Sequence, residues 1–163
     1  MTSSREKIKV NSATDFIPVV LAFDPGDTTG VAVVDYTGAA HDMKQLTLDE
    51  LIGYVAQFET PAGYKVTKIV YERFIVYRQK AQKLVGSKNG ASQAIGAIKI
   101  LASRLNVPLV EQGADIKEVA LRWSGIKMPG QHSKTHQWDA YLHAYYYLQK
   151  NGFIKPKIKG LAE

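Results

Sequence analysis

The sequence predicts an α/β domain, a central mixed β-sheet with helices packed against it, and three observations carry that expectation. Short apolar, β-branched runs recur at Ile17 to Phe23, in "VTKIVYE" and in "VPLVEQ". They lack strict alternation, as strands buried on both faces do. Between and after them lie longer stretches whose apolar residues return at helical spacing. The chain has 163 residues, which suits one domain with a real core. It shows no internal repeat and no low-complexity block.

Residues 1–15 are polar and weakly patterned and read as a flexible N-terminal arm, 16–152 as the folded domain, and 153–163 as a basic tail. The run Ile17 to Phe23 is the first strand. Pro25-Gly26 and Gly30 bracket a tight turn, and Val31 to Tyr36 returns as a hairpin partner. A third strand is expected over Met43 to Leu46. Thr47 then opens a helix as N-cap, and Glu50, three residues on, completes a capping box. Leu48, Leu51, Ile52, Val55 and Phe58 are its apolar face, and "PAGYKV" ends it. "VTKIVYE" is a buried strand that stops on Glu72. A second helix runs from Ala91 to Leu105, with Ile95, Ile98, Leu101 and Leu105 on one side and the small Gly96 and Ala97 alongside. "VPLVEQ" is a further strand, and "ADIKEVALRWSG" a helix stopped by Gly125. After "IKMPGQHSK" a last helix spans about Thr135 to Gln149, closed by Asn151-Gly152. The order is βββαβαβαα. Arg73 to Gly90 is long, basic and punctuated by glycine, the pattern of a functional loop or a mobile helix extension.

Composition removes several classes of function. The absence of cysteine excludes disulfides, thiolate nucleophiles and zinc–cysteine sites, and fits a reducing cytoplasm. Any metal must be held by carboxylate, imidazole or backbone oxygen. No apolar run approaches the ~20 residues of a membrane span, and "MTSSREKIKVNSATDF" lacks a signal-peptide core. The expectation is a soluble cytoplasmic protein. A formal charge of +6 and a pI near 9.4 suit a polyanionic partner. The charge gathers in Arg73, Arg78, Lys80, Lys83 and Lys88, and again in Lys150, Lys155, Lys157 and Lys159. The competing reading of either group is a solvated basic face.

Asp24 and Glu72 each end an otherwise apolar strand. A carboxylate is costly to bury there unless something neutralises it. Either alone is more often a turn residue or half of a salt bridge; together, on neighbouring strands, they converge on one edge of the sheet, where open α/β sheets place ligands. In "THQWDAYLHAYYYL", His136 and Asp139 are three apart and share a helix face, while Trp138, Tyr141, Leu142, Tyr145 and Leu148 form the apolar stripe. An isolated H-x-x-D is a weak signal; beside two strand-end carboxylates it completes a four-ligand site. Three carboxylates and one imidazole suit Mg2+ or Mn2+ better than a structural zinc cage. Such a cluster can hold two ions about 3.5–4 Å apart for phosphodiester hydrolysis.

The order of "FDPGDTTG", "VYERF", "SQAIGAIKILA" and "HQWDAYLHAYYYL" resembles the RuvC-like branch of the RNase H-fold nucleases, over about Val19 to Tyr147. The resemblance implies a crossover-junction endodeoxyribonuclease: a homodimer that resolves four-way (Holliday) DNA junctions with Mg2+ or Mn2+. It places Asp24, Glu72 and Asp139 as metal-binding carboxylates, with His136 as ligand or proton carrier. It makes the helix around Ala91 to Leu105 the dimer helix, and it puts Arg73, Phe74, Tyr77, Arg78, Lys80, Lys83 and Lys88 on DNA. Ile75 stands where the family commonly has a junction-wedging phenylalanine, which shifts that role to Phe74 or Tyr77. The stretch from Trp123 to His136 is shorter than in the cellular enzymes, as in a phage-type or divergent member.

Other readings compete. D-x-G-x-T-x-G also marks the phosphate loop of sugar kinases and actin-like ATPases, which need two such domains where this chain has room for one. An enzyme of RNA–DNA hybrids, flaps or other branched substrates would use the same cluster, because catalytic residues do not report substrate shape. A non-catalytic DNA-binding relative has no use for four converging ligands. His132 precedes the last helix, which argues against a zinc pair with His136. His143 reads as a packing residue or one behind the metal ligands, and Tyr145-Tyr146-Tyr147 as half core, half surface.

Overall fold

The structure is a computed structural model that describes residues 16–74, 89–125 and 135–157. The expected arm, the segment with Tyr77, Arg78, Lys80, Lys83 and Lys88, and the end of the tail lie outside these residues, as does His132. The elements are β1 (Ile17–Asp24), β2 (Thr28–Asp35), β3 (Ala40–Thr47), α1 (Leu48–Gln57), β4 (Tyr64–Glu72), α2 (Gly90–Leu105), β5 (Leu109–Gln112), α3 (Ile116–Ser124) and α4 (His136–Lys150). They form a five-stranded mixed sheet in the order β3-β2-β1-β4-β5. β1 to β3 are antiparallel, while β4 runs parallel to β1 and β5 parallel to β4.

The unbroken apolar run of β1 has a direct cause: both faces of the sheet are covered. Val19, Leu21 and Phe23 pack with Leu51 and Val55 of α1 and with Ala94, Ile98 and Leu101 of α2. Val20 and Ala22 face the other way, onto Ala120 of α3 and Tyr141, Leu142, Tyr145 and Leu148 of α4. β3 is the sheet edge, and its mostly exposed, mixed-polarity residues run longer than the expected Met43 to Leu46.

The helix ends follow local rules. Thr47 and Glu50 form the reciprocal capping box. α3 stops at Gly125, whose φ of +63° is left-handed. α4 begins differently. Thr135 makes no side-chain cap bond; the His136 N–H instead donates to Gln45 Oε1 of β3 at 3.0 Å. Gln45 pairs with Gly30 and Gly30 with Asp24, so one row across three strands lies beneath the first turn of α4. A methyl group on Gly30 would overlap the main-chain carbonyl of His136.

Candidate active site

β1 and β4 are parallel neighbours, so Asp24 and Glu72 end on the same edge of the sheet, as expected from the strand ends. The Gly30 contact lets the first turn of α4 lie against β2, which brings His136 and Asp139 to that edge. All four predicted residues therefore meet. His136 Nδ1–H donates to Asp24 Oδ2 at 2.6 Å. The Asp24 side chain is only 8% exposed, whereas that of His136 is half exposed.

A fifth residue, marked by no sequence pattern, joins the four. Lys117, in the first turn of α3, places Nζ 2.6 Å from Glu72 Oε2, 2.9 Å from Asp139 Oδ2 and 3.2 Å from Asp24 Oδ1. One ammonium thus lies between oxygens of three carboxylates. A sixth is His143, fully buried one turn after Asp139, whose Nε2 is 3.0 Å from Glu72 Oε2. One ligand atom each from Asp24, Glu72 and His143 lies within 4.8 Å of the others.

The electrostatics divide the carboxylates. Burial is the largest influence on Asp24, and it holds the carboxyl above its ordinary value despite the charge of Lys117 and the bond from His136. At Glu72 burial acts in the same direction, but hydrogen bonds from His143 and Lys117 outweigh it and bring the carboxyl to about 2. Burial would lower Lys117; its bonds to Glu72 and Asp139 and the charges of Asp24 and Asp139 raise it instead, so it is a fixed cation. The residues fit a hard divalent ion, because three carboxylate oxygens already converge on one positive atom.

Arg73 and Phe74 are exposed just beyond Glu72. Phe74 also lines a cavity of about 280 Å³ with Pro25, Gly26, Asp27, Asn89, Gly90 and Ala91, between the β1–β2 turn and the start of α2. Among the described residues no helix is long and apolar enough to cross a membrane.

No protein-family model matches the sequence, and no curated protein matches it. Two solved structures of RuvC from Thermus thermophilus are similar in fold. One, in complex with a Holliday junction substrate, gives a TM-score of 0.60 at 20% identity over 85% of this chain and 98% of its own. The other gives 0.55 at 19% identity over 85% of this chain and 99% of its own. The likeness shows the fold: this chain has the architecture of RuvC, the RNase H-like arrangement implied by the sequence motifs.

Proposed function

We propose that the chain is a divalent-metal-dependent endonuclease that resolves four-way DNA junctions. The observation that supports this best is the convergence of Asp24, Glu72, Asp139 and His136 on one sheet edge, in a fold shared with a RuvC that was solved on a Holliday junction. In this reading Asp24, Glu72 and Asp139 would hold Mg2+ or Mn2+. A divalent ion so held supplies Lewis-acid polarisation of a phosphodiester and neutralises its developing charge.

The protein's own groups do the rest. Asp24 takes the Nδ1–H of His136, which orients the ring and leaves Nε2 to exchange a proton with a substrate oxygen. Lys117 offsets the charge of the three carboxylates and provides a cation for a phosphate oxygen. Exposed Arg73 and Phe74 meet DNA beside the reacting phosphate, Phe74 as a stacking or wedging ring; the basic residues Arg78, Lys80, Lys83 and Lys88 follow in sequence. The outer face of α2 supports pairing of two copies. A methyl group added to Gly96 would meet nothing within 4 Å, and Ile100 is 66% exposed one turn on. A glycine in an exposed helix interior costs about 1 kcal/mol relative to alanine, so close approach of a second helix gives it a reason to be there.

The test compares wild type and Asp24→Asn on a synthetic four-way junction, a duplex, a flap and an RNA–DNA hybrid, with Mg2+ or with chelator. Wild type is expected to cut the junction at least about tenfold faster than the others, only with metal and less as salt rises. Asp24→Asn is expected to lose at least about 100-fold, roughly 2.7 kcal/mol of transition-state stabilisation. Equal cutting of junction and duplex would refute junction resolution, and preference for the hybrid would favour an RNase H activity. Unchanged cleavage by Asp24→Asn would remove the metal site. Light scattering of the same sample is expected to report a dimer, and a monomer would remove paired incision by a stable dimer.

A further inference from the structure

Glu72 is the last residue of β4, so something other than a continuing strand has to direct its carboxylate. Gln112, the last residue of β5, does so from two sides. Its main chain pairs with Glu72 and accepts from the Arg73 N–H at 2.8 Å. Its side-chain amide lies 2.7 Å from His143 Nδ1, and the other ring nitrogen of His143 meets Glu72 Oε2 at 3.0 Å. Gln112, His143 and Glu72 thus form a closed loop of contacts behind the site, with His143 fully buried and Gln112 nearly so.

Filling space does not account for this histidine. A leucine there would fill a similar volume without burying two polar nitrogens, each of which needs a partner. The imidazole is retained at a spot where one nitrogen is anchored and the other reaches a carboxylate expected to hold metal. A glutamate side chain loses rotamer freedom when it is fixed. Where His143 has already restricted Glu72, an arriving ion does not have to. Hydrogen-bonding groups behind metal ligands typically govern about 10–100-fold in metal affinity.

We propose that His143, held by Gln112, is a positioning residue that fixes the carboxylate of Glu72 for the divalent ion; the proposal rests on the metal-site reading above. It acts through Glu72 and touches neither substrate nor the reacting atoms. Binding of Mn2+ to the full chain without DNA tests it, followed by calorimetry and by the electron paramagnetic resonance signal of free Mn2+. His143→Leu is expected to weaken Mn2+ binding about 10–100-fold. His143→Gln, whose amide N–H can still reach Glu72, should recover most of that. Gln112→Leu removes only the anchor of His143, leaves the main-chain pairing intact and should lose severalfold. In cleavage assays the change should fall on the Mn2+ concentration for half-maximal rate more than on the maximal rate, a split that a merely structural defect would not produce. A folded His143→Leu that binds Mn2+ like wild type overturns the proposal; if that variant does not fold, a Gln112→Leu protein with wild-type affinity overturns it instead. Wild type that binds no Mn2+ defeats the metal reading and this one together, whereas wild-type binding with unaffected variants defeats this one alone.

Discussion

Two aspartate–histidine pairs of equal length stand at opposite ends of the β1–β2 hairpin. Asp24 and His136 are 2.6 Å apart, and so are Asp35 and His41. The partners of Asp35 are local: the main-chain N–H groups of Thr37 and Ala39, the Thr37 hydroxyl and the His41 ring, all within six residues. The partners of Asp24 are remote, Lys117 and His136, 93 and 112 residues away; among the described residues it accepts no main-chain N–H. At Asp35 burial is outweighed by bonds from Thr37, His41 and Ala39, and the carboxyl lies below the usual range. At Asp24 burial wins and the carboxyl lies above it. One aspartate closes a turn, with Tyr64 OH donating to the far nitrogen of His41. The other is held against its solvation preference by groups brought from across the fold, the condition expected of a site built for another cation.

The same substitution at both places gives the largest contrast. Asp24→Asn should abolish metal-dependent cleavage yet melt no lower than wild type, because it removes a desolvated charge while Lys117 keeps Glu72 and Asp139. Asp35→Asn should leave junction cleavage within about twofold and cost about 1–3 kcal/mol, as the charged acceptor of several partly buried hydrogen bonds is lost. Urea unfolding and single-turnover cleavage on both variants decide it. A destabilised Asp24→Asn, or an inactive Asp35→Asn, would erase the distinction.

Two glycines repeat the contrast with a smaller effect. Gly30 lies under the His136 carbonyl, so Gly30→Ala must displace the first turn of α4 from Asp24. A shift near ~1 Å is enough for about 100-fold in rate, so a loss of at least about tenfold is expected. Gly38, in the Asp35 turn, has a φ of +89°. Gly38→Ala should cost about 1–2 kcal/mol from the left-handed backbone, while cleavage by the folded fraction stays at the wild-type rate. Equal rates for Gly30→Ala and wild type would show that the row beneath α4 does not position His136.

How far the site is legible in the sequence follows from the same contrast. Asp24 and Glu72 stand out because an acid ending an apolar strand breaks a strong pattern, and His136 and Asp139 because three-residue spacing fixes a helix face. Lys117 gives no such signal, being one of 21 lysines and arginines in a chain whose charge is ordinarily solvated. Topology marks it instead: β5 is parallel to β4, so the first turn of the helix after β5 arrives at the edge that bears Glu72. Gln45 and Gln112 are illegible for a related reason. A polar residue on an edge strand looks solvent-facing until the element it touches, 91 residues away for Gln45 and 31 for Gln112, is placed over it. The fold is readable more fully, since burial on both faces leaves its mark on the run from Val19 to Phe23 of β1; β3, half exposed at the edge, does not carry that mark, and its ends extend past the strand the sequence predicts.

Acid titration gives the smallest effect and separates the two aspartates most cleanly, because Asp35 touches none of the residues expected to hold metal. The folded protein keeps the Asp35 carboxyl ionised below the pH at which an unfolded aspartate, near ~3.9, takes up a proton. Its contribution is therefore complete above that value and fades as pH falls through the lower folded value. Unfolding free energy measured by urea from about pH 6 to about pH 2.5 should fall below about pH 4 in wild type. Asp35→Asn, already weaker at the upper end of that range, should lose part of the acid-side slope, so that the two curves approach each other at the lowest pH. Parallel curves throughout would mean that the hydrogen bonds of the turn do not favour the charged carboxylate, and that the two pairs differ in sequence distance but not in the chemistry that distance was taken to reflect.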